Sequence, residues 1–192
     1  MEKIILASGS PRRRELLEQI HIPFEVHVSE AEETVTQTDP GRIVEELSLK
    51  KACAVAEEIG QGIILGADTI VWQDTEVLGK PKDREDARRM IRELQGRSHS
   101  VFTGVTIIRR GVPGKEDRTL SFHRETVVSV HAMEEDEIED YLETGEAFDK
   151  AGAYGIQGAF AAYVDKIEGD YHTVVGLPVS AVYQALRELE RD

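Results

Sequence analysis

The most hydrophobic stretch of this chain is residues 63–71, and an acidic residue interrupts it. A short apolar run is typical of a buried central strand, which the sequence Gly-Ala-Asp-Thr would break in its middle. An ionised carboxylate in such a strand is costly unless it is paired or bound to a metal, so Asp68 needs a partner. Asp68 therefore either caps a turn, or acts as a general base or metal ligand on a rigid strand, with Gly66 and Ala67 leaving space beside it.

A second constraint comes from residues 4–17, which combine an apolar strand, a loop and the start of a helix. The apolar start is followed by Ser-Gly-Ser-Pro, which predicts a turn and then a helix with the second serine as its N-cap. This order directs backbone N–H groups, hydroxyls and the positive helix end to one place, with Arg12, Arg13 and Arg14 nearby. The segment is either an anion-binding loop or an ordinary capped helix with solvated arginines.

The composition limits the kinds of ligand this chain can bind. It has 192 residues, of which 40% are hydrophobic and 31% charged, and this balance indicates a globular protein with one core or two small lobes. The net charge of −14 argues against binding an extended nucleic acid, whereas basic residues grouped near loops and helix ends suit a small, highly anionic ligand held with a metal ion. The single cysteine, Cys53, excludes an internal disulfide, and no zinc-ligand spacing is present.

No targeting or membrane segment is indicated by the sequence. No apolar run approaches the roughly 18 to 20 residues of a membrane span, and the N-terminus lacks the basic-then-apolar order of a signal peptide. The sequence contains no linker, internal repeat or low-complexity tract. We therefore expect one domain over residues 1–192, a cytosolic location and no membrane partner.

Periodicity predicts the following elements. Helices are expected over residues 11–20, 40–59, 83–94, 133–142 and from 178 to the end, and strands over 4–7, 23–28, 63–71, 101–109, 126–131 and 161–167. On the second helix Val44, Leu47, Lys51 and Val55 form one row, so Lys51 shares the apolar face. Its ammonium group either reaches past that face into solvent or projects into a cleft.

Three further polar residues are candidates for a site. A hairpin returning along residues 72–78 would bring Lys80 close to Asp68, where it would neutralise phosphate or pair with the carboxylate. Glu33 ends an acidic stretch after the second strand and is either a metal ligand or part of a solvated loop. Gln157 lies in a glycine-rich segment without the strand-then-helix context of a nucleotide fingerprint, and its amide could read the edge of a base.

Six ordered motifs along nearly the entire chain resemble the Maf family of nucleoside triphosphate pyrophosphatases. In chain order they are SGSPRRRELL, GADTIV, LGKP, GRSHSVFTGV, DKAGAYGIQG and GDYHTVVGLP. The resemblance implies an α/β fold similar to inosine triphosphate pyrophosphatases, with two lobes around a long, mixed, twisted sheet, flanking helices and an active-site cleft between the lobes. It also implies hydrolysis of a nucleotide between its α and β phosphates with Mg²⁺ or Mn²⁺, and a homodimer is compatible with it.

The resemblance also assigns roles to individual residues. The family's proton acceptor falls on Asp68, and its acidic partner for the metal falls on Glu33. The positions that bind phosphate fall on Ser8, Arg13, Lys51 and Lys80. The positions linked to substrate choice fall on Arg12, Thr69 and Gln157, a combination similar to the branch that acts on dTTP and UTP, while other branches act on modified nucleotides.

The alternatives to this hypothesis are a P-loop enzyme and a nucleotide-binding regulator. The absence of a GxxxxGK[ST] motif argues against a P-loop enzyme. A nucleotide-binding regulator of cell division without significant turnover would need the same cleft as the enzyme. Pyrophosphate release from dTTP distinguishes the regulator from the enzyme.

Overall fold

A computed structural model describes residues 2–191 as an α/β protein with a seven-stranded mixed sheet and flanking helices. The strands are β1 (Ile4–Leu6), β2 (Phe24–Val26), β3 (Gly62–Gln73), β4 (Glu76–Leu78), β5 (Ser98–Arg110), β6 (Arg118–Val130) and β7 (Val164–Glu168). The helices are α1 (Pro11–Gln19), α2 (Pro40–Ile59), α3 (Arg84–Leu94), α4 (Glu135–Glu143), α5 (Tyr171–Val175) and α6 (Val179–Arg191). The predicted α/β fold class is confirmed.

The sheet has the strand order β2-β1-β3-β5-β6-β7, and β4 pairs with β3 outside this path. β1 runs parallel to both β2 and β3, with Ile5 opposite Ile64 and Leu6 opposite Leu65 in the second pair. The β3–β4 and β6–β7 pairs are antiparallel. β1 therefore ends in the loop before α1 beside the part of β3 that leads to Asp68.

The chain divides into two compact units. Unit 1 contains the described residues up to Asp68, residues Thr103–Arg124 and the described residues from Gly176 onward. Unit 2 contains Thr69–Phe102 and Glu125–Val175.

Helix α2 is the longest helix of unit 1, and its bounds agree with the prediction over residues 40–59. It begins because the Asp39 carboxylate accepts a hydrogen bond from the N–H of Arg42 at 3.0 Å, and it ends at Gly60, whose φ is 79°. None of the helices within residues 2–191 is long and apolar enough to cross a membrane.

Two glycines let α2 approach the sheet closely. A Cβ at Gly66 of β3 would lie 2.4 Å from the carbonyl oxygen of Ser48, and one at Gly104 of β5 would lie 2.2 Å from the carbonyl oxygen of Val44. Only glycine fits such a contact. The interpretation that Gly66 leaves space beside Asp68 is therefore wrong, because the backbone of α2 fills that space.

Strand β3 runs without a break from Gly62 to Gln73, so the predicted interruption around Asp68 is absent. The turn-capping alternative for Asp68 is excluded, because that residue lies inside the strand. Its side chain is 13% exposed. A nearly buried carboxylate on a continuous strand requires a charged partner, and Lys51 of helix α2 is that partner.

Unit 2 differs from the prediction near its C-terminal end. Residues Ala159–Tyr163 form a 3₁₀ turn that buries Phe160, so the strand predicted over 161–167 begins only at Val164. The short helix α5 was not predicted. It follows Asp170, whose carboxylate accepts a hydrogen bond from the N–H of His172 at 3.0 Å.

An ion-pair network joins α3 to α4 within unit 2. Arg88 donates to both oxygens of Glu139, and Arg84 donates to Oε2 of Glu139 at 2.9 Å. These hydrogen bonds, those from Arg88 first, lower the pKa of the Glu139 carboxyl from 4.5 to about 2. The network therefore depends on an ionised Glu139.

This pKa shift predicts a specific acid sensitivity. Because the folded-state pKa of Glu139 lies below the unfolded value of 4.5, its contribution to stability is present above pH 4.5 and is lost as pH falls toward 2. We expect Glu139→Gln to lower the thermal midpoint at pH 7 and the gap from the parent to close between pH 4.5 and 2. Thermal unfolding followed by circular dichroism across this range checks it, and a constant gap would contradict it.

Candidate functional site

The loop between β1 and α1 forms the first part of the site in unit 1. Arg13 Nη1 donates to Ser8 Oγ at 3.0 Å, and the N–H of Ser10 donates to the same oxygen at 3.3 Å. Both acceptor positions of the buried Ser8 hydroxyl are thus used, which leaves its O–H to donate to a bound anion. Ser10 is the N-cap of α1 but makes no side-chain capping bond, so the hydroxyls and the helix end can serve a ligand.

Arg13 is held by the chain on two sides. Besides its bond to Ser8, its Nε donates to the carbonyl oxygen of Gly176 at 2.9 Å. Burial lowers the pKa of the Arg13 guanidinium, and the negative charge of Asp68 opposes this shift. Arg13 is therefore a fixed positive charge that interacts with the carboxylate of the central strand.

Lys51 lies between two carboxylates. Its Nζ donates to Asp68 Oδ1 at 2.5 Å and lies 2.7 Å from Glu33 Oε1. The side chains of Lys51 and Asp68 are only 15% and 13% exposed, whereas that of Glu33 is 67% exposed. The interpretation that Lys51 reaches into solvent is therefore wrong, because α2 directs its ammonium group at the carboxylates.

Two residues that were not predicted as site residues anchor the loop that carries Glu33. Glu46 Oε2 accepts hydrogen bonds from the backbone N–H of Thr36 at 2.9 Å and from its hydroxyl at 3.1 Å. Lys50 donates to the carbonyl oxygen of Thr34 and pairs with Glu46 at 3.0 Å. The i, i+4 spacing of Glu46 and Lys50 on α2 was visible in the sequence, but the loop they bind was not.

The remaining predicted site residues lie on α1, on β3 and in two loops. Arg12 lies half-buried in the first turn of α1, in unit 1. Thr69 is half-buried on β3, Lys80 is exposed after β4, and Gln157 is exposed in a loop, all three in unit 2. The structure thus brings Ser8, Arg13, Glu33, Lys51 and Asp68 together in unit 1, and the roles predicted for all nine residues stay predictions.

The carboxylates limit how a metal ion can bind. Within residues 2–191, no group of three or more His, Cys, Asp or Glu side chains could hold a metal ion. Glu33 and Asp68 are nevertheless close enough to share one cation, as their common contact with Lys51 shows. This pair fits Mg²⁺, which typically uses one or two carboxylates and completes its coordination with substrate phosphates and water.

Comparisons with known proteins found relatives that match nearly the full length of this chain. A relative from Bacillus cytotoxicus named "dTTP/UTP pyrophosphatase" is 48% identical over 99% of this chain and 97% of its own length. Relatives of the same name from Bacillus cereus and Bacillus mycoides are each 47% identical over 100% of this chain and 98% of theirs. The solved structure of the Staphylococcus aureus Ham1 protein has a TM-score of 0.50 and 13% identity, covers 98% of this chain and 100% of its own, and supports the fold alone.

The family model described as "Maf-like protein" matches residues 3–189. This range contains every residue of the candidate site, from Ser8 in the first loop to Gln157 in unit 2. The motifs that carried the resemblance lie in the same range. With nearly the whole chain matched, and full-length relatives close to half identical, this chain belongs to the Maf family.

Proposed function

We propose that this chain hydrolyses dTTP and UTP between the α and β phosphates and releases nucleoside monophosphate and pyrophosphate. The observation that carries the proposal is the contact of Lys51 with Asp68 and Glu33 in the charged cluster that also contains Arg13. A pyrophosphatase needs a base beside fixed cations, and this cluster supplies both. The full-length relatives named for this activity support the choice of substrates.

Asp68 is the proposed general base. Its Oδ1 is engaged by Lys51, so Oδ2 is the oxygen that would accept a proton from water. As the water oxygen bonds to the α phosphorus, the bond from that phosphorus to the bridging oxygen breaks and its electron pair leaves with pyrophosphate. The continuous strand β3 fixes Asp68 for this step, which favours catalysis because little reorganisation is needed.

The cations would stabilise the charge that develops on the leaving pyrophosphate. Ser8 and Arg13 offer an O–H and a guanidinium at the β1–α1 loop, and Lys51 offers an ammonium group on α2. We assign Lys80 to the same role on the basis of its motif. In many enzymes, fixed charges of this kind in a site that excludes water make the largest single contribution to the rate enhancement.

Glu33 and Asp68 would hold Mg²⁺ or Mn²⁺ together with phosphate oxygens of the nucleotide. Such an ion supplies neutralisation of phosphate charge when it is bound. Since Lys51 occupies the position between the two carboxylates, a bound ion would compete with this ammonium group for them. We infer that Lys51 turns toward phosphate when the nucleotide binds.

Substrate choice would depend on Arg12, Thr69 and Gln157, with the Gln157 amide at the edge of the base. The substrate is a free nucleotide rather than an extended nucleic acid, in line with the net charge of −14. The chain would act as a homodimer.

The test is pyrophosphate release from canonical and modified nucleoside triphosphates with Mg²⁺ or Mn²⁺. We expect the highest kcat/KM with dTTP and UTP, and little release without a divalent ion. Nucleotide binding without turnover of any nucleotide would contradict the proposal and favour a regulator of cell division. Preference for a purine or a modified base would retain the reaction but overturn the proposed substrates.

A further inference from the structure

His99 and Tyr154 form a buried pair in unit 2 that the proposed mechanism does not use. They are 4% and 5% exposed, and His99 Nε2 lies 2.7 Å from the Tyr154 hydroxyl. Burial lowers the pKa of His99 to about 4, so the ring is neutral at pH 7. His99 Nδ1 has no hydrogen-bond partner among residues 2–191. A buried polar atom without a partner lowers the stability of the fold, and an apolar residue at this position would avoid that loss. The hydrogen bond to Tyr154 is therefore the contact that explains a histidine here.

Tyr154 lies in residues 146–159, which we name the Gln157 loop, and the loop is tied to unit 2 at several further points. The Tyr141 hydroxyl donates to the carbonyl oxygen of Ala153 at 3.3 Å. The N–H of Ala159 donates to Glu146 Oε2 at 2.9 Å and closes the loop at its base. The N–H of Gly152 donates to the carbonyl oxygen of Gly79 at 3.0 Å, directly before Lys80.

Side chains fill the interior of the Gln157 loop. A Cβ at Gly155 would lie 2.6 Å from Lys150 Cε, and one at Gly158 would lie 2.0 Å from Glu146 Oε2. The side chains of Lys150 and Glu146 therefore occupy the space beside the two glycines that flank the exposed Gln157, and a substitution there would have to displace them. Together with the buried Tyr154 ring, this packing restrains the backbone that carries the Gln157 amide.

We propose that His99 and Tyr154 are positioning residues that hold the Gln157 loop in the conformation that selects the base. This inference rests on the proposed function and deepens it. Thymine and uracil present a carbonyl acceptor and an N–H donor, whereas cytosine presents an amino donor and a ring-nitrogen acceptor. A glutamine amide matches either edge by rotating half a turn, so it discriminates between them only when its orientation is fixed.

The test compares the dTTP to dCTP ratio of kcat/KM among variants of one aromatic cluster. Tyr154→Phe removes the hydroxyl and keeps the ring that packs 4.6 Å from Phe160, while His99→Leu removes the other partner. We expect each to lower the ratio about tenfold, as befits one lost hydrogen bond and an orphaned partner, and the double variant to lower it no further. Tyr163→Phe is the matched control. The Tyr163 ring packs 5.8 Å from the same Phe160 ring, and among the described residues its hydroxyl makes no hydrogen bond to the Gln157 loop. The dTTP to dCTP ratio of this variant should equal that of the parent.

A second measurement separates positioning from loss of fold. Hydrogen exchange of amides 155–158 should accelerate in Tyr154→Phe and His99→Leu, with thermal midpoints high enough to keep both folded at the assay temperature. An unchanged dTTP to dCTP ratio of kcat/KM in both Tyr154→Phe and His99→Leu would overturn the inference. An equal fall of this ratio in Tyr163→Phe would also overturn it. Neither result would contradict the proposed reaction. Absence of turnover in the parent would instead overturn the proposed function.

Discussion

Asp68→Asn is expected to reduce the turnover of dTTP by about 10²- to 10⁴-fold, the usual contribution of a general base. The amide has the shape of the carboxylate and its oxygen can still accept the 2.5 Å hydrogen bond from Lys51, so the site should keep its geometry. The amide cannot take a proton from water. Binding of dTTP, measured by calorimetry without divalent metal, should change only a few-fold.

A matched control for this variant lies at the end of the same strand. Asp74→Asn makes the same chemical change in the turn between β3 and β4, where the side chain is 66% exposed and pairs with Arg97. Its φ of 56° suits asparagine, so the fold should be retained. If Asp68→Asn turned over dTTP as fast as Asp74→Asn, Asp68 would have no part in proton transfer.

Lys51→Met should have the second large effect, because one ammonium group pairs with two carboxylates. We expect kcat to fall about 10²- to 10³-fold, the cost of removing one fixed stabiliser of transition-state charge. Asp68 would lose its partner in a site where it is 13% exposed, and the free energy of unfolding should fall by about 2 kcal/mol. Kinetics and denaturant unfolding measure the two effects.

The same variant tests the competition between Lys51 and a metal ion. Without the ammonium group, Glu33 and Asp68 repel each other and should bind Mn²⁺ more tightly in the absence of nucleotide, which electron paramagnetic resonance detects directly. Lys3→Met is the control, since Lys3 forms an exposed pair with Glu25 in the same unit. Equal Mn²⁺ affinity in both variants would show that Lys51 does not exclude the ion.

Local chemistry in the sequence predicted some elements well and others poorly. The bounds of α2 follow from Asp39 and Gly60, because the local sequence is sufficient to identify both residues as helix caps. The continuity of β3 does not follow from the local sequence. A glycine such as Gly66 is typical of a turn, and its role in the strand is recognised only when the helix that packs against it is known. Likewise, the pattern from which a strand was predicted over 161–167 gave no sign of the 3₁₀ turn that buries Phe160.

In the candidate site as well, some features could be predicted from the local sequence and others could not. Burial of a charge on β3 indicated that Asp68 needs a partner, and the structure supplies Lys51. The row of α2 that contains Lys51 left two interpretations, and only the packing of the helix on the sheet decides between them. The support that Gly176 gives Arg13 spans 163 positions in sequence, and no local pattern encodes it.

The measurement that tests the central claim most directly is the hydrolysis of dTTP in water labelled with oxygen-18, with products analysed by mass spectrometry. Attack on the α phosphorus predicts dTMP that carries the label and pyrophosphate that does not. Label in pyrophosphate would place the attack on the β phosphorus. Products of dTDP and inorganic phosphate would contradict a pyrophosphatase altogether.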